Sequence, residues 1–330
     1  MPVPLPSRGL RYVISYVRET PTGLVLIDSG WNTEEGWRAL VAGIGAIGAT
    51  MSDVTGLIVT HVHPDHYGLA RRVKSASGAT VVLHEDDAVI AHQVDQGLQT
   101  FLVGYRDFLS QAGMPERELR HVNPDMLEAT TFFDLMEPDQ TVRNGEVLTG
   151  LDPDLQVVAT PGHSPGHICL LDTRRRMLLS GDHLLPRVTP NVSVRPQQSV
   201  NPLRQYVDSL NASRLLEVDW VLPAHEWPFR DVQSRTAQIL EHHRARLLET
   251  VELVGVSPGA TGWDIALATT WSRSFSDLEP VMRRAAVGEA LAHLELLESE
   301  GLVTSARSHV VRWTLAKSPS AGLPVLSTIP

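Results

Sequence analysis

The sequence holds a single cysteine, Cys169, in 330 residues. That excludes an internal disulfide framework and agrees with a reducing compartment, so the cytoplasm is the expected location. A long apolar run is also missing. The least polar stretch, "ALVAGIGAIGATM", has thirteen residues, against roughly twenty needed to cross a bilayer. No secretory leader is expected, because prolines interrupt "MPVPLPSRGLRYVISYV" where an apolar core would stand. Nor is there a basic excess: 28 Lys and Arg face 38 Asp and Glu, for a formal net charge of -10. Such a chain has no bulk attraction for polyanions, so nucleic acid is disfavoured as a partner. What is present is core material. Hydrophobic residues make up 42% and charged residues 20%, which suits one large globular domain plus a smaller one.

The pattern is α/β. "YVISYVRE" and "TGLVLIDSG" read as strands around a turn at Pro21, Thr22 and Gly23, and "EEGWRALVAGIGAIG" has helical spacing. "VTGLIVTH" is a short apolar strand, "GLARRVKSASG" a helix closed by Gly78, and "ATVVLHE" another strand. Residues 86–136 are mostly helical in pattern and are expected to be an insertion covering a site. Strands return in "LQVVATPGH", "HICLLDT", "RMLLSGDH" and "WVLPAHE", with "TRRRM" as a solvated turn between two of them. After residue 250 the character changes to helix, helix, hairpin, which predicts a winged helix over 251–317. A disordered tail is expected over 318–330.

Chemistry concentrates in "THVHPDHYGLA". His61 and His63 are two apart, so on an extended segment both leave the same face. Pro64 stops the strand, and Asp65 and His66 follow. Four donors at a strand end can surround more than one ion. His163 in "TPGHSPGH", Asp182 in "LLSGDH" and His225 in "LPAHEW" each follow an apolar run where the chain turns.

In this order the seven residues resemble the metallo-β-lactamase-fold hydrolase superfamily, whose hallmark is HxHxDH followed by a distant His, an Asp and a final His. The resemblance covers roughly residues 10 to 250. It implies an αββα sandwich over residues 1–250. It also implies a binuclear site, with His61, His63 and His163 on one metal, Asp65, His66 and His225 on the second, and Asp182 bridging. The donors are nitrogen and carboxylate oxygen, which suits two divalent ions, Zn2+ first and Mn2+ or Fe as alternatives. Asp28 in "LIDSG" matches a position that supports a metal-binding histidine from behind, fixing its tautomer.

The implied chemistry is metal-assisted hydrolysis. Two cations share a water of lowered pKa and polarise the substrate oxygen, and Asp65 orients the resulting hydroxide. Within the superfamily the sequence is most similar to the β-lactamase-like protein 2 group, on the strength of "SGDHLLPRVTPNVSV", "NPLRQYVDSL", "HHRARL" and the C-terminal winged helix. The expected substrate is an ester, thioester or lactone of a small or carrier-bound acid. A metal-dependent endoribonuclease is the alternative, and a DNA-binding regulator with a metal-containing sensor domain the second.

The remaining candidates divide by neighbourhood. His183, after Asp182, is expected to face substrate, and Arg187 and Arg195 to meet a substrate carboxylate or phosphate. His167, Ser164 and Ser180 read as loop hydrogen-bonders, Cys169 as a buried strand residue, and His242 and His243 as helix surface. The helix "MRRAAVGEALAHLELLESEG" carries Arg283 and Arg284 only at its start, with Glu289, Glu295, Glu298 and Glu300 beyond. It is therefore expected to pack against the catalytic domain or make a homodimer contact, with no reading of DNA.

Overall fold

The computed structural model describes residues 1–6, 9–120, 122, 135–196 and 200–317. A small antiparallel ladder joins β1 (Pro2–Pro4) to β2 (Tyr12–Ile14). Two five-stranded sheets form the frame. The first is ordered β3 (Tyr16–Thr20), β4 (Gly23–Ile27), β5 (Val54–Ile58), β6 (Thr80–His84) and β7 (Gln140–Val142). After the β3–β4 hairpin its strands run parallel. The second is ordered β12 (Trp220–Pro223), β11 (Met177–Gly181), β10 (Ile168–Asp172), β9 (Asp152–Ala159) and β8 (Val147–Leu148), with β11 and β12 parallel.

One core joins the sheets. Val25, Ile27, Ile58 and Val82 from the first pack with Leu155, Val157, Ile168, Leu170 and Leu179 from the second. The alternate residues Leu24, Leu26, Leu57, Val81 and Leu83 are buried too, as parallel strands covered on both faces require. Helix α1 (Glu34–Ala46) begins at Thr33, whose hydroxyl accepts the Gly36 N–H at 2.9 Å, and Glu34 and Glu35 suit its positive end. Pro64 opens the single-turn helix α2 (Pro64–Tyr67). Helix α3 (Ala70–Ser77) packs on β5 and β6 and ends at Gly78 with φ 76°. Arg18 on β3 reaches across to the second sheet, 2.7 Å from Asp152 on β9 and 2.7 Å from Asp172 on β10.

The expected boundary near residue 250 is not where the chain divides. The described residues within Met1–Leu98, Leu127–Pro190 and Leu215–Val232 form one compact unit, and those within Gln99–Met126, Asn191–Arg214 and Gln233–Pro330 another. Long-range packing causes this. The C-terminal helix Pro280–Ser299 is held by Asn201, which donates to Ala292 O at 2.9 Å, and by the Arg204–Glu300 ion pair. Asn201 and Arg204 belong to the helix Pro202–Ser213 and its cap. The single insertion expected over 86–136 is likewise divided. Helix α4 (Glu85–Gln111) is interrupted at Gly97, beside the division, and residues 121 and 123–134 lie outside the described residues.

The helix, helix, hairpin order appears as Gly262–Ala268, Pro280–Ser299, β13 (Val303–Arg307) and β14 (Val311–Leu315). The expected tail, 318–330, lies outside the described residues. One expectation here needs correction. His243 is 1% exposed, with Nδ1 3.4 Å from His293 Nε2, and is not on the surface. Glu289 accepts from Asn191 at 2.8 Å, and burial pushes its carboxyl up to about 7 against that bond. Among the described residues no helix is long and apolar enough to cross a membrane.

Candidate metal centre

The site is built where strands of the first unit end. Beyond β5 the chain passes through Thr60, His61 and His63, and α2 then turns Asp65 and His66 back toward them. His163 follows β9, Asp182 follows β11, and His225 follows β12. Three groups of donors lie within ligand distance of one another: His61, His63 and His163; His61, His66 and Asp182; and Asp65, His66 and His225. His61 Nε2 and His63 Nδ1 are 2.8 Å apart. Asp182 lies between the groups. Its Oδ2 is 3.5 Å from His163 Nε2, and its Oδ1 is 3.3 Å from His225 Nε2 and 3.6 Å from His66 Nε2. Asp65 Oδ2 is 3.4 Å from His225 Nε2.

The outer ring nitrogens are anchored. His66 Nδ1 donates to Asp28 Oδ2 at 2.8 Å, and His225 Nδ1 to Tyr12 O at 2.9 Å. Asp28, at φ 60°, also takes the Thr60 N–H at 2.8 Å and the Thr60 hydroxyl at 2.9 Å. Having donated there, the Thr60 oxygen is an acceptor for His61 Nδ1 at 3.1 Å. These bonds fix tautomers with the Nε2 lone pairs of His61, His66 and His225 turned inward. Among the described residues, His66 Nε2, His225 Nε2 and Asp182 Oδ1 make no hydrogen bond although buried. Buried polar atoms left in that state are costly, and a bound cation would satisfy all three. The clusters fit a metal site.

Residues 8–225 match the family described as Metallo-beta-lactamase superfamily. The chain belongs to that superfamily. It is 26% identical over 294 residues to the probable metallo-hydrolase YqjP of Bacillus subtilis (strain 168), covering 86% of each chain. It is 27% identical over 175 residues to the acyl-coenzyme A thioesterase MBLAC2 of Homo sapiens, spanning 51% of this chain and 54% of that protein. Its structure resembles the metallo-beta-lactamase family protein TTHA1429 from Thermus thermophilus. The TM-score is 0.81 at 29% identity, over 95% of this chain and 97% of that one. The protein is accordingly a metallo-beta-lactamase-superfamily hydrolase.

The centre of this superfamily hydrolase has two electrostatically unlike halves. Burial opposes charge on His61, His66 and His225, yet Asp182 and Asp65 raise the His225 imidazole to about 10. Asp28, Asp65 and Asp182 overcome burial in the same way at His66 and hold it well above its usual value. His61 goes the other way: burial, then His66, His63 and His163, hold it well below. Carboxylates thus gather around His66 and His225, and other imidazoles around His61.

The residues around the centre sort themselves by partner. His167 accepts the Asp182 N–H at its Nε2, 3.0 Å, and its Nδ1 donates to Thr160 at 2.8 Å, so it orders the loop as expected. Gly181 has φ 50°, and a Cβ there would stand 2.7 Å from His167 Nε2. Ser164 donates to Asp87 at 2.7 Å and Ser180 to Leu184 O at 2.8 Å. Cys169 is buried, and burial pushes its thiol up to about 12. His183 is fully buried, 6.1 Å from His167 by ring centroid, and outside the three donor groups. Arg187 and Arg195 fall in different units. Arg187 is exposed and paired with Glu226 at 3.1 Å, so its guanidinium already meets a carboxylate of the chain itself. Sequence reasoning missed Thr60, Asp87 and Glu226, whose roles depend on partners distant in the chain.

Proposed function

We propose that the protein is a binuclear metal-dependent hydrolase of carboxylic esters and thioesters. The observation that carries the two-cation reading is the division of Asp182, with one oxygen toward His163 and the other toward His66 and His225. His61, His63 and His163 would hold one divalent cation and Asp65, His66 and His225 the second, with Asp182 in reach of both. Zinc suits these nitrogen and oxygen donors first, with manganese or iron as alternatives. Bound there, the cations supply a lowered water pKa and polarisation of a carbonyl oxygen. The chain's own residues do the rest. Asp65 keeps 18% side-chain exposure and is the acceptor that orients the attacking water and takes its proton. Asp28 and Tyr12 O keep the rings of His66 and His225 aimed while the substrate binds.

The acyl substrate class is supported by the likeness to an acyl-coenzyme A thioesterase and by the net charge of -10, which disfavours a long polyanion. The test is a panel of acyl-coenzyme A and pantetheine thioesters, p-nitrophenyl esters, lactones and single-stranded RNA, with the zinc-loaded full chain. Thiol or alcohol release that a chelator abolishes is the expected result. Metal-dependent RNA cutting with no acyl turnover would replace this reading with that of a ribonuclease.

A further inference from the structure

Between the loops that carry His61, His63 and His163 lies a buried carboxylate to which the proposed chemistry gives no task. Asp87 stands in the first turn of α4 with 0% exposure. Its Oδ2 accepts the Val62 N–H at 2.8 Å and the Ser164 hydroxyl at 2.7 Å, and its Oδ1 accepts the Gly166 N–H at 2.7 Å. Val62 is the residue between His61 and His63, and Ser164 directly follows His163. One carboxylate therefore grips both loops at the positions next to their histidines.

The grip is closely packed. A Cβ on Gly166 would stand 2.5 Å from the Asp87 backbone nitrogen and 2.9 Å from its Cγ. A buried ionised carboxylate persists where several donors replace its water, and Val62, Ser164 and Gly166 do so here. Two of those donors are loop amides, so the carboxylate fixes backbone as well as side chains. A helix rooted beside β6 thereby sets the distance between two loops that the sequence separates by about a hundred residues.

We infer that Asp87 is a positioning residue that holds the His61, His63 and His163 group at cation-binding spacing, and so sets the affinity of that group apart from the Asp65, His66 and His225 group. This rests on the two-cation reading above. Ligand orientation by residues behind the ligands is worth a factor of about 10 to 100 in metal affinity, and that is the expected size of the effect.

The experiment titrates zinc into the metal-free full chain against a competing chelator, with bound zinc counted by elemental analysis. The variants are Asp87→Ala, Asp87→Asn and Ser164→Ala, each also combined with His163→Ala or His225→Ala. Wild type should take two equivalents. Asp87→Ala should weaken one of them about 10- to 100-fold and leave the other in place. It should cost nothing further in the His163→Ala background, and should strip the remaining ion in the His225→Ala background. Ser164→Ala removes one of the three bonds and should act in the same direction but less; with Asp87→Asn it carries the test if the alanine variant does not fold. Two equivalents in wild type, with both weakened alike or neither weakened by the Asp87 variants, would overturn the inference alone. A single equivalent in wild type would overturn the two-cation reading and this inference with it.

Discussion

Asp182 Oδ1 lies 3.3 Å from His225 Nε2 while its Oδ2 lies 3.5 Å from His163 Nε2, so one side chain touches both halves of the centre. Under the two-cation reading its carboxylate would also offset the repulsion between the ions. Asp182→Ala should therefore cost more than any loss behind the ligands: bound metal falls below one equivalent and hydrolysis drops by more than about 100-fold. Elemental analysis together with kcat measures both. Normal metal content with normal turnover would displace the bridge from Asp182.

Asp28 anchors His66 and, through Thr60, His61. Asp28→Asn replaces a charged acceptor with a neutral amide at the same volume. Zinc affinity should fall about 10- to 100-fold with the fold retained, read by chelator competition and circular dichroism. An unchanged affinity would make Asp28 a turn residue only.

Glu289 supplies a pH signature remote from the metal. Desolvation pushes its half-buried carboxyl up to about 7 from an ordinary 4.5. A raised carboxyl favours the folded state fully below 4.5, and the advantage is lost as pH climbs through 7. Glu289→Gln should therefore match wild type in thermal unfolding near pH 4.5 and melt higher above pH 7. A melting difference that does not change across this range would show that Glu289 does not titrate there.

The seven candidate donors that the structure brings together were legible in the sequence because they are polar residues at strand ends, where a core has no use for them. The strands were legible as well, since β5 and β6 are short apolar runs bounded by turns. Asp87 was not: "HEDDAVI" has three acidic residues at a helix start, and nothing local says which one turns inward. His243 was misplaced although its spacing was visible. Thr236, Ile239, Leu240, His243, Leu247, Thr250 and Val254 fall on one helix face and all are buried, but a polar residue in that stripe read as surface. The division of the chain was illegible because it depends on side-chain pairs such as Arg204 with Glu300, 96 residues apart.

The C-terminal helix is a core element of its unit. Ala286, Val287, Ala290, Leu291, Leu294 and Leu297 are buried on it, Arg284 is 7% exposed, and Arg283 pairs with Glu118 at 2.9 Å. Neither arginine is presented to a phosphate. In a mobility-shift titration with random duplex DNA at low salt, no complex should form up to about 10 µM protein. A shift that Arg283→Ala with Arg284→Ala abolishes would make the helix a DNA contact.

The Arg18 bridge has a consequence for how such a chain can change over generations. Asp172 pairs with Met177, at the start of β11, and Met177 pairs with Trp220, at the start of β12, whereas Asp182 and His225 follow the ends of those strands. The ion pairs that fasten sheet to sheet thus sit at the opposite rim of the sandwich from the metal donors. Loops at the donor rim that carry no donor can vary in length and composition without loosening the fastening, so new substrate preferences can arise there while the scaffold's tolerance is spent elsewhere.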